Sequence, residues 1–499
     1  MTLDPESRTS PLDIAPDEFR RMGHALVDRI ATHLETLPSR PVTTGVPVAV
    51  VRGLLGEGPL PERGTEPGNL LAHTADLLFE QSLFNGHPRF WGFITASPAP
   101  LGILGDLLAA GVNPNVGAFV LSPVATEVER QAVRWIADLL GYPATCGGLM
   151  VSGGNMANMV AFLAARRAKA PWDVREQGLH AGDAQLIVYA SRETHTWIQK
   201  AADLFGLGLD AIRWIGTDDR QRMRIDELER TIADDREAGR VPFLVVGTAG
   251  SVSTGAIDPL PRIAETCRRH NLWFHVDGAY GAPAACLPEA PADLKGLALA
   301  DSIAVDPHKW LYAPLEAGCT LVRDPQHLID AFSFHPEYYD FGDRGGEVPT
   351  NYHELGPQNS RGFRALKVWL GLRQSGREGY VRLIRDDIAL TQALHEAVAA
   401  HPELEALTCS LSISTFRYVP AELREQRDEH EVYLNELNAA LVTRLQSGGE
   451  MFVSNAVIGG RYALRACLVN FRTERSDVLA APGIVARAGR QLHAELLAR

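Results

Sequence analysis

Phe274-His275-Val276-Asp277-Gly278-Ala279-Tyr280-Gly281 and, about thirty residues on, Ser302-Ile303-Ala304-Val305-Asp306-Pro307-His308-Lys309-Trp310 read as two buried strands, each running into a turn that carries a charged side chain. In the first, an apolar run from Leu272 ends at Asp277. In the second, the run Ser302–Val305 leads to Lys309, which is flanked by Pro307, His308 and Trp310. Short apolar runs bounded by Gly and Pro are the pattern of fully buried strands. Either charged residue alone has an ordinary explanation. Most lysines are solvated, and Asp-Gly often marks a turn. The two together, in this order and spacing, point to chemistry.

Pyridoxal phosphate (PLP) requires this pair: a lysine to hold its aldehyde as a Schiff base, and an acid to keep its pyridine nitrogen protonated. An amine among apolar neighbours suits that linkage. Lys309 is therefore the candidate cofactor lysine and Asp277 the candidate ring partner.

Working outward, strands and helices alternate. Leu186–Tyr189, Ile212–Ile215, Phe243–Val246 and Gly318–Val322 read as further strands. Helices are expected from Thr194-His195 to about Leu204, from Ile225 to about Ala238 and from Ile263 to His270. Apolar strands alternating with amphipathic helices predict an α/β fold with a mainly parallel sheet covered on both faces. Ligands on such sheets bind at the carboxyl ends of the strands. Thr248, Asp277 and Lys309 all follow predicted strands, so they converge on one edge. Upstream, a helix runs from Ser122-Pro123 to Gly141, with Ser122 as its expected N-cap. The stretch Gly147–Asn155 then reads as strand, Gly-rich turn and the start of a helix from about Met156 to Lys169. A turn of this kind offers free N–H groups and a helix dipole to an anion. Gly206-Leu207-Gly208 follows a helix rather than a strand and is set aside as a dinucleotide fingerprint.

Three regions follow from the remaining pattern: an N-terminal helical arm (1–85), a large cofactor domain (86–375) and a small α+β domain (376–499). The arm holds a helix from Asp17 to about Leu37, an extended winding stretch from Thr43 to Gly68 suited to wrapping a second subunit, and a helix from Asn69 to about Phe84. Residues 1 to about 12 read as polar and disordered. His87–Thr95 crowds three aromatics, and Trp91, Phe93, Ile94 and Thr95 are candidate walls of a substrate pocket or, equally, a buried anchor. The polar, aromatic-rich loop Phe334–Gly362 carries Tyr338, Tyr339, Phe341 and Tyr352. A loop this long is usually functional or disordered. Helices are expected over 363–374, 380–400 and about 429–445, and strands over 409–417 and 462–470.

The 499 residues carry a formal net charge of -13 and are 45% hydrophobic. That balance disfavours nucleic acid or an anionic membrane as the principal partner. The six cysteines form no CxxC spacing, so no metal site is expected and the thiols read as reduced, consistent with a cytoplasmic protein. No signal peptide and no transmembrane helix are expected.

The motifs HVDGAYG and DPHKW, preceded by the Gly-rich turn, resemble those of the group II PLP-dependent amino-acid decarboxylases, over about Phe90 to Arg475. The resemblance implies the aspartate-aminotransferase fold, a homodimer with sites at the subunit interface, and a small-molecule amino-acid substrate. It assigns Lys309 as the Schiff-base lysine, Asp277 as the pyridinium partner and Ala279 as the small residue under the ring. His195 matches the histidine stacked on the other ring face, and Thr248 a cofactor-site threonine. Gly154, Asn155, Asp306 and His308 match positions around the phosphate. Tyr352 matches the mobile-loop tyrosine that delivers a proton after CO2 leaves. Gly117 stands where aromatic decarboxylases place an aromatic wall, while Asn113-Pro114-Asn115 looks closer to the glutamate branch. The implied reaction is decarboxylation of an L-amino acid, apolar or aromatic, to its amine. The alternatives are an acidic substrate of the glutamate or cysteine-sulfinate type, or decarboxylation-dependent aldehyde synthesis.

Overall fold

A computed structural model describes residues 10–334 and 349–498. Its centre is a seven-stranded sheet built from β1 (Gly147–Val151), β2 (Leu186–Ser191), β3 (Ile212–Ile215), β4 (Val241–Thr248), β5 (Trp273–Asp277), β6 (Ser302–Val305) and β7 (Gly318–Val322). The strand order is β1-β7-β6-β5-β4-β2-β3. Strands β3, β2, β4, β5 and β6 run parallel, whereas β7 is antiparallel to both β1 and β6. Every residue of β2, β5, β6 and β7 is buried. This follows from helices on both faces, and it is why these strands lack an apolar–polar alternation.

The small domain carries β8 (Leu404–Ser410), β9 (Ile413–Tyr418), β10 (Ser454–Ile458) and β11 (Arg461–Cys467) in an antiparallel sheet ordered β10-β11-β9-β8. The single strand expected over 409–417 is therefore a hairpin. The chain reverses at Leu411, whose φ of 49° places it in the left-handed region. The helices expected over 363–374 and 380–400 form one run, Ala365–Ala399, broken at Gly376 with φ 59° and ψ 178°. Only glycine takes up that conformation readily.

Two helices depart from the expected pattern. Val48–Leu55 lies inside the arm read as extended. Pro100–Val112 showed no period because nearly all of its residues are apolar or small. Ser122 precedes its helix, but its hydroxyl donates to the Asn115 carbonyl (2.8 Å) instead of capping the helix. The segment around residue 90 lies along the small domain. Phe90 bridges to Phe452, and the Trp91 N–H donates to the Phe452 carbonyl at 2.8 Å. Among the described residues no helix is long and apolar enough to cross a membrane. The expected disorder of the first residues falls largely outside the described chain, as do Tyr338, Tyr339 and Phe341.

Candidate active site

The parallel register brings the candidates together. Thr248 at the end of β4 pairs with Asp277 at the end of β5, and Asp277 pairs with Ala304 of β6. Past β6 the chain coils tightly: the Lys309 N–H donates to the Asp306 carbonyl (2.9 Å), and the Tyr312 N–H to that of Lys309 (3.1 Å). This coil turns Lys309 Nζ back to within 3.0 Å of Asp306 Oδ2. A cavity of about 370 Å³ opens at this edge. It is lined by Ser152, Gly153, Gly154 and Asn155 from the Gly-rich turn, by His195, Thr248, Asp277 and Ala279, and by Asp306, His308 and Lys309. The sequence reading singled out each of these, the Gly-rich turn as a stretch, but not Glu193, Leu315 and Glu316, which line the same cavity.

Several of these side chains have a visible support. Trp197 Nε1 donates to Asp277 Oδ2 (2.8 Å), and the Ala279 N–H donates to Oδ1 (3.2 Å). His308 donates from Nδ1 to the Ala317 carbonyl at 2.7 Å, and burial lowers its pKa against the pull of Asp306. Burial likewise lowers that of His195, opposed by Asp277 and reinforced by Lys309. Both imidazoles are therefore largely neutral near pH 7. His195 lies just before its helix, which begins at Trp197.

A polar network lies behind the cavity. His275 is two residues before Asp277, on the same face of β5. Asn158 Nδ2 donates to the Gly154 carbonyl (2.7 Å), which leaves its Oδ1 to accept from His275 Nε2 (2.7 Å). His275 Nδ1 then accepts from Ser302 Oγ (2.8 Å), and Ser302 accepts from Trp273 Nε1. Burial pushes the His275 pKa down to about 4, against the pull of Asp277, so the ring is neutral and the tautomer is set. The chain joins β5, β6 and the helix that bears the Gly-rich turn. The only local signal for it was the alternation His275-x-Asp277, because Asn158 and Ser302 come from distant segments.

These groups fit PLP. Thr248 Oγ1 and Asp306 Oδ1 are buried without a hydrogen-bond partner among the described residues. Such atoms cost free energy unless a bound polar group satisfies them. The helix Gly154–Lys169 opens on the cavity with unpaired N–H groups, as a phosphate requires. A Cβ at Gly154 would lie 2.7 Å from Asp306 Oδ2 and 3.2 Å from the Ala279 methyl, so only glycine leaves this cradle open. Gly154→Ala is expected to weaken PLP affinity about tenfold, or about 1.4 kcal/mol, as measured by fluorescence titration of the apoprotein.

Residues 57–419 match the pyridoxal-dependent decarboxylase conserved domain. The chain belongs to this decarboxylase family. It is 34% identical to an aromatic-L-amino-acid decarboxylase of Bacillus atrophaeus over 94% of this chain and 95% of that protein. It is 30% identical to tyrosine decarboxylase 3 of Petroselinum crispum over 94% and 91%. Among solved structures, the TDC of Oryza sativa, crystallised with PLP and tryptamine, superposes with a TM-score of 0.88 at 28% identity, covering 97% of this chain and all of that one. Mouse CSAD does so with 0.89 at 27%, covering 95% and 99%. The decarboxylase thus has the PLP enzyme fold of its solved relatives.

Several candidates lie elsewhere in this decarboxylase. Tyr352 is 1% exposed. It packs in the core on one face of the sheet, with the Arg361 guanidinium 4.6 Å from its ring centroid. Arg361 in turn is locked to buried Glu129. Tyr352 is therefore not among the groups that line the cofactor cavity, and burial holds its phenol well above the usual range. Trp91 is fully buried in the small-domain core, its Nε1 donating to the Pro88 carbonyl (2.9 Å), so it is an anchor and not a pocket wall. Phe93 is half exposed beside Phe452, with φ 51°. Ile94 packs on the large-domain core. Thr95 lines a second cavity of about 430 Å³, with Leu34, Leu37, Phe79, Phe84 and Ile103; it shares His308 and Leu315 with the first. Gly117 has a packing reason: a Cβ there would lie 2.3 Å from the Asn359 carbonyl oxygen, so no aromatic side chain fits this backbone.

Proposed function

We propose that this enzyme removes the α-carboxylate of an L-amino acid with an apolar or aromatic side chain, giving the amine and CO2, and that it works as a homodimer. The observation that carries the substrate class is the second cavity. Its walls are mostly aliphatic and aromatic, with His33, Ser82, Asn85 and Thr95 among them, and it adjoins the cofactor cavity at His308 and Leu315. Glu193 and Glu316 line the cofactor cavity, which disfavours a side-chain carboxylate there. The dimer is supported by helix Pro100–Val112, which leaves Leu104, Leu107, Leu108 and Val112 half exposed or more along one surface.

Bound in the first cavity, PLP supplies a ring that takes up the electron pair left as CO2 departs. The chain supplies the rest. Lys309 would hold the aldehyde, and Asp277 would hold a proton at the ring nitrogen. Thr248 and the backbone of the Gly-rich turn would take the polar substituents. A snug pocket orients the carboxylate for cleavage. The carbon that loses CO2 must gain one proton, and among the described residues that line the cavity Lys309 and His195 would deliver it.

A second reading rests on the position of Tyr352. With that phenol in the core, Tyr352 is not among the described residues that line the cavity, and the aldehyde-forming alternative stays open. A screen of L-amino acids with added PLP tests both. Amine and CO2 from an aromatic or aliphatic substrate support the proposal; aldehyde, ammonia and peroxide support the second reading. Turnover of acidic substrates alone would overturn the assigned class.

A further inference from the structure

The small domain reaches into the turn that carries Lys309. Asp387 lies on helix Ala365–Ala399, beyond the Gly376 break, where Leu394 and Val398 pack with Leu404 and Phe416 of the small sheet. It is buried, and its Oδ2 accepts from Trp310 Nε1 at 2.8 Å and from the Tyr312 hydroxyl at 2.5 Å. Those two residues are the first and third after Lys309. Tyr312 has φ 57°, a conformation that an aromatic residue holds only under constraint. Trp310 in turn stacks on Tyr280, with centroids 5.1 Å apart and planes 16° from parallel. Tyr280 is three residues past Asp277, and its hydroxyl lies 2.6 Å from Ser412 Oγ in the hairpin turn of the small sheet. The tails of both catalytic segments are thus held from one side.

We propose that Asp387 is a positioning residue for Lys309. Its carboxylate fixes the Trp310–Tyr312 turn and so sets where the lysine amine stands relative to the cofactor aldehyde. A stack alone leaves the turn free to slide along the Tyr280 ring; the two hydrogen bonds to one oxygen remove that freedom. A carboxyl is an expensive way to do this. Burial disfavours its charged form, pushing the pKa up to about 7, and the donors from Trp310 and Tyr312 oppose that shift. A residue whose only task was packing would not need a charge in the core. Displacements of about 1 Å at a reacting group cost up to about a hundredfold in rate, so a slack turn is expected to show in kinetics before it shows in stability.

The test uses the full-length apoprotein and holoenzyme of Asp387→Asn, Trp310→Phe and Tyr312→Phe. The last two keep a ring in place and delete one donor each, so they carry the test if Asp387→Asn does not fold. Two quantities are read: the rate at which added PLP develops its lysine-bound absorbance, and kcat against KM. Both the capture rate and kcat are expected to fall about tenfold in Asp387→Asn and severalfold in the phenylalanine variants, with KM within about twofold. Trp310→Phe added to Asp387→Asn is expected to cost little more, because the two share one hydrogen bond. Wild-type capture rates and kcat in folded variants, or losses that simply multiply in the double variant, would overturn the proposal.

Discussion

Lys309→Ala loses the cofactor's lysine-bound absorbance and lowers kcat/KM for the best amino acid by at least about 10³–10⁴-fold, the range for removal of a reacting group. The reasoning is geometric. Lys309 Nζ is held at the cavity by Asp306 Oδ2 at 3.0 Å, at the end of a coil fixed by backbone hydrogen bonds. Of the other four lysines, Lys367 pairs with Asp106 and Lys169 donates to Asn271. Lys309→Arg is the companion variant. It keeps a positive charge beside Asp306, so the fold is preserved, but a guanidinium cannot take the place of the amine. Absorbance spectra of the reconstituted variants and initial CO2 release check the prediction together. A variant at position 309 with wild-type turnover contradicts it.

Asp277→Asn is expected to lower kcat by about 10²–10³-fold, the magnitude seen when an aligned electrostatic group is removed from a buried site. The isosteric change keeps the side chain in place between Trp197 Nε1 and the Ala279 N–H, but removes the charge that balances a protonated ring. Asparagine also turns an N–H₂ toward one of those two donors, which loosens the site further. Because Asp277 would face the cofactor ring and not the substrate side chain, KM is expected to change far less than kcat. Steady-state kinetics with saturating PLP separate the two, and a kcat within about threefold of wild type would refute the role.

The core of this site was legible because it lies on consecutive parallel strands. An apolar run followed by a charged residue marks a strand's carboxyl end, and parallel register then stacks Thr248 beside Asp277, with Lys309 just past the next strand. The reversal of β7 was hidden, since a buried strand reads the same in either direction. Tyr352 was misplaced and Trp91 left open between two readings for a related reason: an aromatic in a Gly-rich or Pro-rich stretch fits a pocket wall and a core anchor equally well. Only the tertiary partners, Arg361 for one and Pro88 with Thr473 for the other, distinguish these. The His275–Asn158 and Trp310–Asp387 contacts join residues separated by 117 and 77 positions. No local pattern reports such pairs. The hairpin at Leu411 was missed because its left-handed residue is a leucine, where sequence reasoning looks for Gly or Asn.

The central claim is that one lysine of this chain carries the cofactor at the shared edge of β4, β5 and β6. It is tested most directly by loading the wild-type protein with PLP, reducing it with borohydride, and locating the modified peptide by mass spectrometry. The account predicts a single stoichiometric pyridoxyl group on Lys309; modification at Lys200, Lys367 or another lysine, with Lys309 untouched, would contradict it.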